Sequence, residues 1–189
     1  ADTWRIGEVL PQVTLHEGDV TDAESLARAF QQAQPTHVFH FANAGVYGGV
    51  SVSPAASFSV NTIGLLNILE TVRPYPYEAF INIGSSSEYG PKDAPMTETD
   101  MCEPVSAYGI AKLAATHLAT LEAQMHAKPI ATFRLFSPYG PADDSQRLIS
   151  KVIAHLLEST MFRMPHTKSV RDYLFVDDVV TLLLEASQN

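Results

Sequence analysis

The sequence predicts an α/β fold in which a doubly wound parallel sheet carries helices on both faces. Short runs of β-branched and aromatic residues alternate along the chain with longer stretches of helical apolar spacing. Several of the short runs end in small or polar residues, as strands of open parallel sheets do where ligands bind. The alternation is typical of strands joined by helical crossovers, and it therefore indicates a parallel sheet.

The first half of the chain is predicted to contain three strands and two helices. A strand at Val13–Val20 ends in Gly-Asp, and a strand at Thr36–Ala42 is rich in Val, Phe and His. The third strand, Ala79–Gly84, is a nearly continuous apolar run, which indicates burial on both faces. Helices are expected at Asp22–Ala33 and Pro54–Val72, where apolar residues recur at helical spacing.

The second half is predicted to add one strand and three helices. A long helix from Val105 to His126 precedes a strand at Ile130–Phe136. Further helices are expected at Asp143–Ser159 and at Val176–Ala186, the last capped by one of the aspartates in its first turn. The Pro-, Gly- and Asp-rich segment Tyr139–Ser145 is predicted to be a loop through which the chain leaves the sheet.

Charge and cysteine content narrow the classes of function. The formal net charge of −9 would repel a phosphate polymer, so we expect no nucleic-acid partner. No apolar run reaches the roughly 18 residues that cross a bilayer, and the first residues lack a signal-peptide pattern, so a cytoplasmic protein with no membrane partner is expected. Cys102, the only cysteine, excludes an internal disulfide. His37 and His40 point to opposite faces of their strand, so we expect no metal site.

Tyr108 and Lys112 lie one helical turn apart on the predicted long helix and therefore on one face. A phenol has an unperturbed pKa of about 10, so proton transfer near neutral pH needs a cation that favours the phenolate. Lys112 is placed to supply that charge, which makes Tyr108 a candidate general acid/base. A tyrosine beside a lysine on a helix surface is the alternative, and the spacing alone does not exclude it.

Three hydroxyls, those of Ser85, Ser86 and Ser87, follow the predicted strand at Ala79–Gly84. Open α/β sheets bind ligands at the carboxyl ends of their strands, so these hydroxyls can hold a substrate oxygen. One or two of them could instead bond their own turn. We expect the serines to meet Tyr108 at this edge of the sheet.

A strand that ends in Ser-Ser and is followed by Tyr-x-x-x-Lys resembles the layout of the short-chain dehydrogenase superfamily. Over nearly the whole chain, further motifs resemble its extended branch, the NAD(P)-dependent sugar-nucleotide epimerase/dehydratase family, which implies a Rossmann-like sheet. In chain order the motifs are Gly18-Asp19-Val20-Thr21-Asp22, Val38-Phe39-His40-Phe41-Ala42-Asn43-Ala44, the helix with Asn61, Gly64, Asn67 and Leu69-Glu70, Ser85-Ser86-Ser87-Glu88-Tyr89-Gly90, Arg134-Leu135-Phe136-Ser137-Pro138-Tyr139-Gly140-Pro141, and Arg171-Asp172-Tyr173 with Val176-Asp177-Asp178-Val179.

The resemblance implies a role for each matching residue. Tyr108 is the implied general acid/base, Lys112 favours its phenolate and binds the nicotinamide ribose, and Ser85, with Ser86 as the fallback, bonds the sugar oxygen. Substrate contacts are implied for Ser86, Ser87 and Arg171, the last of which would pair with the substrate's diphosphate or, alternatively, only with a neighbouring aspartate. The residues implied to bind NAD or NADP are Asp19, Val20, Phe41, Ala42, Asn43, Ala44, Asn61, Tyr108, Lys112, Phe136 and Ser137.

Members of this family begin with a strand, a Gly-x-x-Gly-x-x-Gly turn and a helix that bind the cofactor's pyrophosphate. No such segment occurs in this sequence. We therefore expect an internal fragment with an incomplete sheet, lacking the first βαβ unit and the end of the carboxyl-terminal lobe. Residues 1–140 would form a partial NAD(P)-binding domain with the Ser/Tyr/Lys set, and residues 141–189 would begin the substrate-binding lobe. The uncovered sheet would favour a homodimer or a larger assembly.

The function implied first is an oxidoreductase-type enzyme, a 4-epimerase or 4-ketosugar reductase, that acts on a nucleoside-diphosphate sugar by hydride transfer with NAD(P). Because the glycine turn is missing, an incomplete, non-catalytic binding or assembly module is the alternative. A sugar-nucleotide 4,6-dehydratase is a second alternative. Family dehydratases carry their acidic residue two positions before the tyrosine of the serine motif, whereas Glu88 directly precedes Tyr89.

Overall fold

The computed structural model describes residues 4–47, 50–164 and 170–188. Its strands are β1 (His37–His40), β2 (Val46–Tyr47), β3 (Val50–Ser51), β4 (Ala79–Ser85), β5 (Ile130–Leu135), β6 (Pro138–Tyr139) and β7 (Leu174–Phe175). Its α-helices are α1 (Ala23–Ala33), α2 (Pro54–Phe58), α3 (Gly64–Val72), α4 (Ala107–His126), α5 (Leu148–Leu157) and α6 (Val176–Ala186). A π-helical segment at Ser59–Ile63 joins α2 to α3, so that the stretch predicted as one helix is helical throughout. No described helix is long and apolar enough to cross a membrane.

The main sheet has three parallel strands in the order β1-β4-β5. β4 is its central strand, with Phe80 opposite Val38 of β1 and Ser85 opposite Leu135 of β5. The carboxyl ends of β4 and β5 therefore lie side by side, and the serines that follow β4 emerge at that edge. Two short ladders lie outside this sheet, an antiparallel pair β2-β3 and a parallel pair β6-β7.

Helices cover both faces of the sheet, as the doubly wound prediction requires. On one face, Phe80 of β4 packs in a buried cluster with α3 and α4, and side chains of α1 border this cluster. On the opposite face, Ile81 packs with Val179 and Leu183 of α6. Consecutive residues of a strand point to opposite faces, so the neighbours Phe80 and Ile81 each begin one half of the core. The predicted α/β architecture is confirmed.

The segment Val13–Val20 was predicted to be a strand, and this prediction is wrong. Residues 13–19 form no ladder with any described strand, and the side chains of Val13 and Leu15 are 48% and 60% exposed. A strand needs a neighbour for its backbone hydrogen bonds, and β1, at the edge of the described sheet, pairs only with β4. The end of the segment is held by local bonds instead, since the Asp19 amide donates to Ser25 Oγ at 3.1 Å.

The amino ends of two predicted helices differ from the prediction, one in its first residue and the other in its capping. α5 begins at Leu148 rather than Asp143, because residues 140–147 form turns in which Asp144 accepts the amide of Gln146 at 2.8 Å. α6 has the predicted bounds, but its N-cap is Phe175, and no side chain caps it. Asp177 and Asp178 lie in its first turn, where a carboxylate favours the helix dipole without capping an amide. The predicted loop at 139–145 also starts later, because Tyr139 belongs to β6.

Gly64, at the start of α3, allows the chain around Val20 to pack directly on that helix. A Cβ at Gly64 would lie 2.7 Å from Val20 Cγ2, well inside van der Waals contact. The same contact is supported by Asn67, whose amide donates to the Val20 carbonyl at 3.0 Å.

We predict that Gly64→Ala destabilises the protein by about 1–3 kcal/mol, even though alanine favours helices, because overpacking a tight contact costs about that much. In a Val20→Ala background, where the clashing methyl groups are gone, Gly64→Ala should be neutral or stabilising. Urea unfolding of the four variants measures both effects. An equal cost of Gly64→Ala in the two backgrounds would contradict the described contact.

Candidate active site

A cavity of about 810 Å³ lies at the carboxyl edge of the main sheet, where β4, β5, α4 and α6 meet. Ile83, Gly84 and Leu135 line its base, and Val176 and Val179 form part of its apolar wall. Eight of the residues selected from the sequence also line it: Phe41, Asn43, Ser85, Ser86, Ser87, Tyr108, Lys112 and Ser137. The serines, Tyr108 and Lys112 therefore line one cavity at this edge of the sheet.

The serine turn begins where β4 ends. Ser85 is buried and caps a 3₁₀ turn at Ser86–Glu88, with Ser85 Oγ accepting the amide of Ser87 at 3.1 Å. That bond occupies an oxygen lone pair of Ser85 and does not use its hydroxyl hydrogen. Ser85 thus bonds its own turn, which was the alternative to a substrate contact for these serines, and it also lines the cavity.

The start of α4 lies directly against this turn. Ser106 caps the helix by accepting the Gly109 amide at 3.0 Å. A Cβ at Gly109 would lie 2.4 Å from the Ser87 carbonyl oxygen, so only glycine permits this approach. Because Tyr108 directly precedes Gly109, the close contact brings the tyrosine to the serine turn. On its other side the Tyr108 ring is packed near Gly45, where a Cβ would lie 3.4 Å from Tyr108 Cε2.

Lys112 is buried with only 3% of its surface exposed, one helical turn after Tyr108. Its Nζ donates to the Ile83 carbonyl of β4, which ties α4 to the central strand. Burial lowers the pKa of Lys112 from its ordinary value, and the negative charge of Glu88 opposes that shift. Lys112 thus brings a buried amino group to a largely apolar cavity.

The segment that follows β1 also contributes to the lining of the cavity, through Phe41 and Asn43. Asn61, which is buried, accepts the Ala44 amide at 3.0 Å and donates to the Ala44 carbonyl at 2.8 Å. These two bonds hold the segment with Phe41 and Asn43 against the cavity. Asn61 and Ala44 support the wall without lining it.

Several other residues selected from the sequence do not line the cavity. Ala42, between Phe41 and Asn43, is half-buried, and the Phe136 ring packs 6.2 Å from that of Tyr89. Val20 packs on α3, and Asp19 is exposed and accepts the Thr21 amide at 2.8 Å. Arg171 is exposed in the segment before β7.

Two charged residues at the site were not selected from the sequence as site residues. Arg147, at the N-cap of α5, lines the cavity and donates to Asp143 Oδ1 at 3.1 Å. Glu88 is fully buried behind the serine turn and accepts the Ser85 amide at 2.7 Å. The pattern Ser85-x-x-Glu88 matches a capping box, which is the sequence signal that indicates this bond. For Arg147 no comparable signal exists, because the predicted start of α5 placed it within the helix.

No carboxylate is found among the described residues that line the cavity. Its cations are Lys112 and Arg147, and its other polar groups include Asn43 and the hydroxyls of Tyr108 and the serines. Such a set can donate hydrogen bonds to oxygens of a ligand and can move one proton through a phenol. Among the described lining residues, no aspartate or glutamate is available as a second proton donor or acceptor.

Comparison with known proteins gives a consistent result for the whole chain. The family model for the NAD dependent epimerase/dehydratase family matches residues 1–189. Over 175 residues the chain is 30% identical to a dTDP-glucose 4,6-dehydratase of Xanthomonas campestris, which covers 86% of this chain and 50% of that protein. Over 172 residues it is 32% identical to UDP-glucuronate 4-epimerase 5 of Arabidopsis thaliana, covering 87% of this chain and 39% of that protein. The chain thus spans half the length, or less, of these curated relatives.

Solved structures resemble this chain at similar coverage. A UDP-glucose 4-epimerase of Thermotoga maritima with UDP-glucose has a TM-score of 0.84 at 29% identity, covering 95% of this chain and 61% of that one. A UDP-glucose 4-epimerase of Thermus thermophilus in complex with NAD has a TM-score of 0.79 at 27% identity, covering 94% and 61%.

His40, at the end of β1, makes the stability of the site depend on pH. Burial, with a smaller contribution from the positive charge of Lys112, lowers the pKa of His40 from 6.5 to about 4. Between these two values the unfolded chain takes up a proton that the folded chain does not. We therefore predict that the free energy of unfolding falls by up to about 3 kcal/mol as the pH drops from about 6.5 to about 4.

His40→Asn should abolish most of that slope, and the matched variant at the exposed His117, His117→Asn, should keep it. Urea unfolding at a series of pH values provides the measurement. A wild-type slope in His40→Asn would contradict a neutral, buried His40.

Proposed function

The chain belongs to the NAD dependent epimerase/dehydratase family, and on that premise we propose that the protein is an oxidoreductase-type enzyme acting on a ring hydroxyl of a nucleoside-diphosphate sugar. The observation that carries the proposal is that Ser85, Tyr108 and Lys112 line one cavity at the carboxyl edge of a parallel sheet. The relatives described above, two kinds of enzyme that act on nucleotide sugars, support the substrate class.

NAD or NADP is the cofactor that we assign to the cavity. Lys112, Phe41 and Asn43 line the cavity, and Asn61 holds the segment that carries Phe41 and Asn43 through its bonds to Ala44. The cavity volume of about 810 Å³ is in the range of small-molecule binding sites. Lys112 would bond the ribose hydroxyls, and Phe41, Asn43 and Ser137 would enclose the ring. The bound cofactor would supply hydride transfer at a sugar carbon. Asp19 and Val20, which the resemblance also implies for the cofactor, lie outside the cavity.

Tyr108 would hold and move the proton of the sugar hydroxyl. Its phenolate needs a nearby positive charge, and Lys112, one turn away and buried, would supply it in a region where burial weakens screening by solvent. Ser85 would donate its hydroxyl hydrogen to the same sugar oxygen, because Ser87 uses only a lone pair of Ser85 Oγ. Ser86 and Ser87 line the same wall and would contact the sugar.

A 4-epimerase or 4-ketosugar reductase fits this cavity better than a 4,6-dehydratase. Eliminating water from a sugar requires a second acid/base group, and no carboxylate is found in the described lining of the cavity. Glu88, the nearest acid in the motif, is fully buried and bonded to Ser85, Thr116 and Arg134. Mass spectrometry of the products distinguishes the reactions. An epimerase preserves the mass of its substrate, a reductase consumes NADPH, and a dehydratase removes one water.

Arg147 is the cation that we propose for the anionic part of the substrate. It lines the cavity beside the apolar residues of α6, and Asp143 holds its guanidinium in place at 3.1 Å. Arg171, to which the family resemblance assigns the diphosphate, is kept as the other candidate. The division into a nucleotide-binding domain at 1–140 and a substrate lobe from 141 remains a prediction. Both arginines belong to the proposed lobe.

We predict that Tyr108→Phe in the whole protein lowers kcat by at least about 100-fold while the Kd for NAD(P) stays within about threefold, because one hydroxyl is lost and no volume. Tyr75→Phe, in the turn between α3 and β4 and away from the cavity lining, is the matched control and should retain full turnover. Retention of turnover in Tyr108→Phe would contradict the catalytic role and would favour the non-catalytic alternative.

Arg147→Gln should raise KM for the nucleotide sugar by about tenfold or more, since the charge-assisted hydrogen bonds it removes are each worth about 1.5–3 kcal/mol. Its kcat should change little. Arg163→Gln, an exposed arginine on the segment after α5, serves as the control, and Arg171→Gln tests the second candidate. An unchanged KM in Arg147→Gln together with a raised KM in Arg171→Gln would assign the diphosphate to Arg171 instead.

A further inference from the structure

Glu88 is a buried carboxylate for which the proposed reaction has no use. Its surface is 0% exposed, and it does not line the cavity. One oxygen, Oε1, accepts the Ser85 amide at 2.7 Å. The other, Oε2, accepts the Thr116 hydroxyl at 2.8 Å and Arg134 Nε at 2.7 Å. A single carboxylate therefore joins the end of β4 to both α4 and β5.

Stability alone is a weak reason for this arrangement. A buried ion pair loses hydration on both partners, and apolar side chains of similar volume stabilise a core as well or better. What apolar side chains cannot do is fix a direction, because dispersion contacts are not directional whereas hydrogen bonds are. The bonds of Glu88 end on groups that adjoin catalytic positions: the amide of Ser85 itself, and a hydroxyl one turn after Lys112.

We propose that Glu88 is a positioning residue that sets Ser85 and the helix carrying Tyr108 and Lys112 in their relative places, with Thr116 and Arg134 as its partners. The inference rests on the function proposed above, since it assigns a purpose to Glu88 only if those three residues act together. Arg134 compensates the charge of Glu88 and also donates to the Tyr89 hydroxyl at 3.1 Å. The motif that follows β4 and the motif that ends β5 are thereby joined.

Glu88 also acts on the charge of Lys112. The groups around this lysine are His40 from β1, Glu88 from the turn after β4, Tyr108 from α4 and, bonded to Glu88, Arg134 from β5, while α6 contributes apolar residues to the cavity. Among these described groups around Lys112, Glu88 is the only carboxylate. Its negative charge raises the pKa of Lys112 against the effect of burial and so favours the ammonium form, the form that would stabilise a Tyr108 phenolate. A neutral residue at position 88 would leave the buried Lys112 and the half-buried Arg134 without the carboxylate that both interact with.

The first test is a matched pair of threonine variants in the whole protein. Thr116→Val keeps the side-chain volume and deletes one of the bonds to Glu88. Thr120→Val makes the same change one turn later, where the hydroxyl bonds only the Thr116 carbonyl at 2.9 Å. We expect Thr116→Val to lower kcat by about tenfold, with KM for the nucleotide sugar within about twofold, because small displacements of a catalytic group cost that much. Thr120→Val should keep kcat within about twofold.

The second test is the pH profile of Glu88→Gln. Losing the negative charge lowers the pKa of Lys112 further, so the alkaline limb of kcat should move to lower pH by about one unit or more. If Glu88 had only a structural role, Glu88→Gln would lower the melting temperature and leave the alkaline limb of kcat where it is. If Glu88→Gln does not fold, the threonine pair decides the question alone.

An unmoved alkaline limb, or equal kcat in the two threonine variants, overturns the inference. Tyr108→Phe, assayed beside them, separates this failure from a failure of the proposed function. Full turnover in Tyr108→Phe contradicts the function itself, whereas its loss together with an unaffected Thr116→Val contradicts only the role of Glu88.

Discussion

A fully buried carboxylate must find its hydrogen-bond donors inside the protein, and the bonds of Glu88 are the constraint on which the geometry of the cavity depends. Its donors come from three elements, namely Ser85 at the end of β4, Thr116 in α4 and Arg134 in β5. Removing one donor would leave a charge or a polar atom without compensation in a region that water does not reach. The strand ends and the helix therefore cannot shift independently.

The close contact of α4 with the serine turn depends on backbone as much as on side chains. Gly109 lets the helix approach the Ser87 carbonyl more closely than any Cβ allows, and Lys112 donates to the Ile83 carbonyl of the central strand. Together these contacts bring a phenol, an ammonium and a hydroxyl to one wall of the cavity. With no carboxylate in the described lining of the cavity, the arrangement is suited to transferring one proton through Tyr108.

Strong local patterns predicted the central part of the fold well. The apolar run of β4 and the long periodic stretch of α4 have nearly the predicted bounds, and the residues that end or begin them line the cavity. The predictions that were wrong or incomplete concern features that depend on contacts with distant parts of the chain. Val13–Val20 has the composition of a strand but no described neighbour to pair with, and pairing, not composition, makes a strand. Arg147 reaches the cavity because turns before α5 delay the helix, which periodicity does not reveal.

The proposed chemistry requires above all that Tyr108 meets a sugar hydroxyl in the cavity. A crystal structure of the whole protein with NAD(P) and a nucleoside-diphosphate sugar measures the distance from Tyr108 Oη to the nearest sugar oxygen. We predict a separation of about 3 Å, or one bridging water, with Ser85 Oγ bonded to the same oxygen. A sugar bound elsewhere, or held beyond the reach of a single bridging water from Tyr108, would contradict the proposed chemistry.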